Sequence, residues 1–190
     1  MASELRVDRI IPVNGVPTGG GGGIIQVVTT QSTTAGGVSC AQNVFTNLSA
    51  INCTITPKSA NSKILISGLM TGEGNKMDAS WTYKIMKSVA GGSDADILVG
   101  DANGNRIQCM CAFPAGHYND DQDSTPVFAS FSHLLDSPTY SLGQAITYKF
   151  MINCINSGAV WSINGCNNGG VNSTDYERSA SYMTLMEVSV

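Results

Sequence analysis

The sequence predicts an all-β protein, an antiparallel jelly-roll-like β-sandwich preceded by an extended N-terminal arm. Apolar and polar residues alternate over many short segments separated by turn residues, and no segment has the spacing of a capped amphipathic helix. Five consecutive glycines occupy residues 19–23, and such a run favours neither helix nor strand. We therefore divide the chain into an attachment arm with a glycine linker, residues 1–23, and a sandwich domain, residues 24–190.

The arm has the pattern of one extended segment. Leu5 and Val7 alternate with charged residues, and the prolines that follow exclude a helix. A short strand that pairs with the sheet edge of a partner is the simplest use of such a segment. The residues that we expect to dock onto a particle are Leu5, Val7, Asp8, Ile10, Ile11, Pro12 and Val13.

The clearest strand prediction is the segment 145–154, where every second residue is apolar: Ile146, Tyr148, Phe150, Ile152 and Cys154. This period of two is typical of a strand with one buried face. Similar patterns predict strands at 63–71, 80–88, 96–99, 107–113, 126–135, 159–163 and 181–190. Clusters of Gly, Asn, Asp, Ser and Pro separate them. Eight to ten strands at this spacing are typical of a sandwich.

Two of these strands indicate self-assembly. The outward positions of the first are Ala145, Thr147, Met151 and Asn153, with Lys149 as its only charge. A flat, weakly polar face of this kind suits burial against another subunit. The closing segment 181–190 carries apolar residues on both faces, so we expect it inside a sheet and not at its edge. The sequence therefore predicts a homotrimer.

Composition narrows the range of partners. Charged residues make up 13% of the chain, well below the usual quarter. The net charge is −4 and the basic residues are scattered, which argues against nucleic acid and anionic membranes as partners. The sequence has neither the long apolar run of a membrane span nor that of a signal peptide. We expect the protein to be made and folded inside a cell.

The cysteines are predicted to be free and structural. There are six: Cys40, Cys53, Cys109, Cys111, Cys154 and Cys166. They could form three disulfides, but a reducing compartment favours free thiols that act as small buried hydrophobic residues. Cys109 and Cys111 share one face of a predicted strand without the further ligands of a zinc site. No metal and no cofactor are predicted.

A hydrolytic triad is a poor interpretation of the sequence. Ser132, His133 and Asp136 are the residue types required, but adjacent strand residues point to opposite faces. The sequence also shows no clear pair of carboxylates for glycoside hydrolysis. We therefore expect a protein that is not an enzyme, with a polysaccharide depolymerase as the enzymatic alternative.

Two polar loops are candidates for ligand contact. Residues 117–123 gather three carboxylates, which could hold calcium or contact sugar hydroxyls, or form a solvated acidic loop. The second loop is glycine-rich and follows Trp161, which is either a core residue or a stacking ring for a sugar. Its predicted recognition residues, for a host surface glycan, are Asn164, Asn167, Asn168, Asn172, Asp175 and Tyr176.

Four segments resemble one family in order and spacing: VDRIIPVNGVP at 7–17, CTITPKSANSKILI at 53–66, LDSP at 135–138 leading to ITYK at 146–149, and SYMTLMEV at 181–188. They are similar to structural proteins of tailed bacteriophages, particularly those of cyanobacteria. The resemblance implies a virion protein, usually trimeric, assembled in the host cytoplasm alongside other tail or capsid proteins. We expect a short tail fibre or receptor-binding appendage. The alternative is a decoration, or cement, protein that stabilises the head.

Overall fold

The computed structural model describes residues 23–76, 81–113, 125–167 and 176–189. Within these ranges the chain forms strands and one short 3-10 turn at Ser49–Ile51. The strands are β1 (Ile24–Ser32), β2 (Gly36–Cys40), β3 (Thr46–Asn47), β4 (Cys53–Ile55), β5 (Lys63–Gly74), β6 (Thr82–Val89), β7 (Ala95–Asp96), β8 (Cys111–Ala112), β9 (Val127–Asp136), β10 (Ile146–Asn153), β11 (Ala159–Ile163) and β12 (Ser181–Val188). The predicted all-β class is confirmed.

The strands form two antiparallel sheets, an arrangement consistent with a sandwich. Sheet 1 has the order β1–β12–β5–β11–β2, and β9 pairs with the other side of β5. Sheet 2 has the order β3–β10–β6–β7, with β4 also on β10 and β8 also on β6. The closing strand β12 lies between β1 and β5, which confirms that it is not an edge strand.

The inner faces of the sheets enclose an aromatic core. Tyr148, Phe150 and the other alternating residues of β10 are fully buried, as predicted. Trp161 is 1% exposed, so it is a core residue. Its ring lies 5.2 Å from that of Trp81 and 4.9 Å from that of Phe113, measured between centroids. Aromatic rings buried at these separations stabilise the fold by more than the burial of their surface area alone provides.

Glycines on the inner face of β5 make room for these rings. A Cβ atom at Gly68 would lie 2.7 Å from the ring of Phe131, and one at Gly72 would collide with Trp161. A third, at Gly74, would collide with Trp81. Because packed cores tolerate little added volume, these three positions allow the large rings to pack directly against the backbone of β5.

The predicted strands are confirmed where the alternation of apolar and polar residues coincides with burial of the apolar ones. The segments predicted at 63–71, 80–88, 126–135, 145–154, 159–163 and 181–190 correspond to β5, β6, β9, β10, β11 and β12. The strands predicted at 96–99 and 107–113 were largely wrong. Only Ala95–Asp96 and Cys111–Ala112 pair with β6 as strands, because most of this part of the chain is exposed, with Leu98 facing solvent. Phe113, at its end, is buried in the core.

The outer face of β10 is not the free surface that the sequence suggested. Met151 is 7% exposed and Asn153 is fully buried. The neighbouring Lys84 of β6 places its ammonium group 4.2 Å from the centre of the Phe45 ring, so the segment before β3 covers this face. Lys149 pairs with Asp94 at 2.5 Å. The chain itself therefore covers much of the surface predicted to meet another subunit.

Candidate functional site

The predicted site residues are only partly within the described ranges. The seven docking residues of the arm, the acidic loop 117–123, and Asn168, Asn172 and Asp175 all lie outside them. Asn164, Asn167 and Tyr176 are described. Of the predicted recognition loop, the structure therefore places only the beginning and the end.

Asn164 is a structural residue, which corrects its assignment to ligand recognition. It is fully buried, and its backbone has a left-handed φ of 58°, a conformation that Asn adopts more readily than most residues. Its Nδ2 donates to the Ser32 carbonyl at 3.1 Å and to the Thr34 carbonyl at 3.1 Å, and its Oδ1 accepts from Ser181 Oγ at 2.5 Å. All of its side-chain capacity is thus used within the fold.

Thr71 of β5 forms hydrogen bonds to residues on both sides of the predicted recognition loop. The Thr71 amide donates to Ser181 Oγ at 3.0 Å, and the Thr71 hydroxyl shares a hydrogen bond with Ser179 Oγ at 2.8 Å. The Asn164 amide in turn donates to the Thr71 carbonyl at 3.0 Å. These bonds hold the residues on both sides of the predicted recognition loop against β5.

Beside this anchor lies an open cleft of about 470 Å³. Its floor is the outer face of β11 and β2, and its walls include Asn75, Asn167 and Arg178; we call it the Arg178 cleft. Ser162 Oγ donates to Asn167 Oδ1 at 2.7 Å, and the backbone N–H of Asn167 donates to Glu73 Oε2 at 2.8 Å. The Ser162 hydroxyl and the Asn75 side chain are bonded within the fold, so the exposed Arg178 guanidinium is the group best placed to donate to a polar ligand such as a sugar.

All six cysteines are free thiols in the structure. Cys40, Cys53 and Cys154 are buried, as predicted, whereas Cys109 and Cys166 are half-buried and Cys111 is exposed. The interpretation of every thiol as a small buried hydrophobic residue is therefore wrong for the latter three. Burial raises the pKa of the Cys166 thiol beside the Arg178 cleft, so it stays protonated and is a poor nucleophile.

Glu187 is a buried carboxylate that the sequence did not single out. It is fully buried on the inner face of β12 and accepts hydrogen bonds from the Lys58 amide at 3.0 Å and the Ser59 amide at 2.9 Å. A third comes from Gln26 Nε2 at 2.7 Å. Burial alone would raise the pKa of Glu187, but these bonds outweigh it and hold that pKa below its usual range. The carboxylate fixes the turn between β4 and β5.

Asp136 is a second buried carboxylate, and it joins the two sheets. At the end of β9 in sheet 1, it pairs with Lys87 of sheet 2 at 2.6 Å and accepts from Tyr148 Oη at 2.8 Å. Burial, together with the charge of Asp136, raises the pKa of Tyr148 far above its usual value. Ser132, in contrast, is exposed. Alternation alone would place Ser132 and Asp136, four residues apart, on the same face, but the register of β9 against β5 shifts between Leu134 and Phe131. Asp136 is therefore buried while Ser132 is exposed, and the two cannot act together.

The described residues contain neither a metal cluster nor a membrane-spanning helix. Within the described residues there is no group of three or more His, Cys, Asp or Glu side chains placed to hold a metal ion. The same residues contain no helix of the length and apolarity needed to span a membrane. Comparison with models of known protein families and with curated protein sequences produced no match.

Proposed function

We propose that this protein is a non-enzymatic structural protein of a phage particle. In this proposal a homotrimeric, jelly-roll-like body docks through its N-terminal arm and projects outward from the glycine linker. The observation that carries it is the use of the buried charges: Glu187 fixes a turn, and Asp136 with Lys87 joins the sheets. A catalytic carboxylate would instead face a cleft that substrate can enter.

The favoured role is a short tail fibre or receptor-binding appendage. The resembling sequences are mostly of that kind, and the Arg178 cleft lies next to the predicted recognition loop, where the exposed Arg178 offers its guanidinium group to a host surface glycan. A head-decoration protein is the second candidate. Copy number separates the two roles: a few trimers at the tail, or many chains over the head.

The arm provides the direct test of particle docking. Changing Val7 and Ile10 to Asp would place charges where strand addition needs apolar side chains. We expect virions from a complementation assay to lose at least about 90% of the protein, since two buried unpaired charges cost several kcal/mol. The matched control changes Val44 and Leu98 to Asp, because both are exposed on the body.

Quantitative mass spectrometry of purified virions measures the copy number of each variant. The isolated protein should keep its oligomeric state after the arm substitutions. If the arm variant occurs in virions at the normal copy number while deletion of a body loop abolishes attachment, the docking surface lies in the sandwich and the assignment to the arm is wrong.

A further inference from the structure

The outer face of sheet 1 carries an apolar row that crosses four strands. Val27 of β1 pairs with Met186 of β12, Met186 pairs with Leu65 of β5, and Leu65 pairs with Leu135 of β9. All four side chains lie on the outward side of the alternation. Val27 is 55% exposed and Leu135 is 51% exposed, and the two central residues are half-buried by their neighbours.

The surface around this row is almost uncharged. The next row contains Thr29 and Thr184, whose hydroxyls share a hydrogen bond at 3.0 Å, and Ser67. A further row brings together Gln31, Tyr182, Leu69 and Ser130. Phe128 of β9 continues the surface and is 66% exposed. Among the described outward side chains from Lys63 to Leu69 and their strand partners, Lys63 is the only charged one.

We infer that this face, from Lys63 to Phe128 and from β1 to β9, is the contact between copies of this chain; we call it the apolar face. The inference rests on the proposed homotrimer and gives it a surface other than the one predicted on β10. Interfaces between copies are depleted of charge at their centre and enriched in aromatic residues and Met. The apolar face has this composition, whereas the outer face of sheet 2 carries two ion pairs.

The size of the apolar face is adequate for a stable contact. Four strands about 4.8 Å apart and about 26 Å long cover roughly 500 Å² of flat sheet. Side chains that stand above the sheet raise the accessible area further, towards the roughly 800 Å² per partner of a standard interface. An uncharged face also packs against neighbouring copies around a threefold axis without the like-charge repulsion that a charged face would create. Both considerations favour a second copy as the occupant.

The test changes Val27 and Leu135 to Lys in the full chain. The matched control changes Val44 and Leu98 to Lys, because Val44 is 53% exposed and Leu98 is 54% exposed, each outside the apolar face. Native mass spectrometry and light scattering across a dilution series measure the association constant, and circular dichroism verifies folding. We expect the association constant of the test variant to fall at least about 100-fold, with the control close to wild type.

Hydroxyl-radical footprinting of the wild-type protein provides a second measurement that needs no variant. Phe128 and Tyr182 should be protected at high protein concentration and become reactive on dilution, while Leu142, which is 61% exposed, should react equally at both. Protection that persists in a diluted sample that native mass spectrometry shows to be monomeric would mean that another part of the same chain covers the face, and it would overturn the inference.

The outcomes separate this inference from the proposed function. A wild-type trimer that survives the lysine substitutions would overturn the apolar face as the contact and leave the structural role intact. A wild-type dimer that the substitutions dissociate would support the face and overturn the threefold assembly. A wild-type protein that is monomeric at micromolar concentration would overturn the contact, while the copy-number assay on virions would still decide the structural role.

Discussion

Replacing Glu187 with Gln tests how a single buried carboxylate contributes to stability. The side chain is fully buried, and its two oxygens accept from the amides of Lys58 and Ser59 and from Gln26 Nε2. Gln has nearly the same shape but only one acceptor oxygen. It can keep the two amide donors on that oxygen, and its NH₂ group then faces the NH₂ group of Gln26, which already donates to the Thr56 carbonyl at 2.8 Å.

The expected loss of unfolding free energy follows from these contacts. Two charge-assisted hydrogen bonds become neutral ones, at about 1 kcal/mol each, and the third is lost at about 1.5 kcal/mol. Relief of the buried charge offsets part of this sum. We therefore expect a net destabilisation of about 2–3 kcal/mol, or a decrease in melting temperature of roughly 5–10 °C for a chain of this size.

Urea unfolding at several pH values measures both the size and the origin of the effect. The folded pKa of Glu187 is lowered, so its stabilisation is fully present above the unfolded pKa and is lost as pH falls through the folded pKa. The wild type should thus lose stability in acid more steeply than E187Q, and the two curves should converge below the folded pKa. Protein concentration is held constant because association adds to apparent stability.

The matched control is Glu177→Gln, since Glu177 is exposed. It should change stability by less than about 0.5 kcal/mol. The reasoning is refuted if E187Q is as stable as this control at neutral pH. It is equally refuted if E187Q keeps the full acid dependence of the wild type, because another group would then be responsible.

Two further substitutions test the core. Gly72→Ala forces a methyl group against Trp161 and should cost about 2–3 kcal/mol in urea unfolding, whereas Gly36→Ala, with open space at the Cβ position, should cost less than about 1 kcal/mol. Equal losses would contradict the close approach at β5. Lys87→Met leaves the buried Asp136 unpaired and should cost about 3–5 kcal/mol, and adding Asp136→Leu should restore part of that loss. A double variant no more stable than the single one would argue against an ion-pair effect.

The sequence alone was sufficient for the local structure of the buried strands. In β10 and β11 every second side chain is apolar, and a period of two follows from the geometry of one strand without knowledge of its neighbours. Where exposure removes this link between alternation and burial, as at residues 107–113, the pattern predicted more strand than the chain forms. Strands rich in Thr, Ser and Gly, such as β2, gave no usable alternation.

The predicted recognition loop shows that polarity alone does not distinguish a side chain that bonds within the fold from one that lines a cleft. Asn164 and Asn167 look alike in sequence, yet Asn164 is an internal anchor and Asn167 lines an open cleft. Side-chain chemistry is the same in both cases, and only the positions of Ser32 and Thr34, far away in the chain, decide that Asn164 is buried. The burial of Glu187 could not be predicted from the sequence for the same reason, because its donors Lys58, Ser59 and Gln26 lie far from it in the chain.

Surfaces that combine side chains from distant segments could be found only from the strand order in the tertiary structure. Val27, Leu65, Leu135 and Met186 form one row only because β1, β12, β5 and β9 are neighbours in a particular register. A shift of one residue in any pairing would turn that strand's apolar set to the opposite face. The alternating sequence thus determined which residues share a face of each strand. Tertiary pairing determined which strands combine their faces into a surface, because that choice depends on contacts between segments far apart in the chain, such as Val27 and Met186.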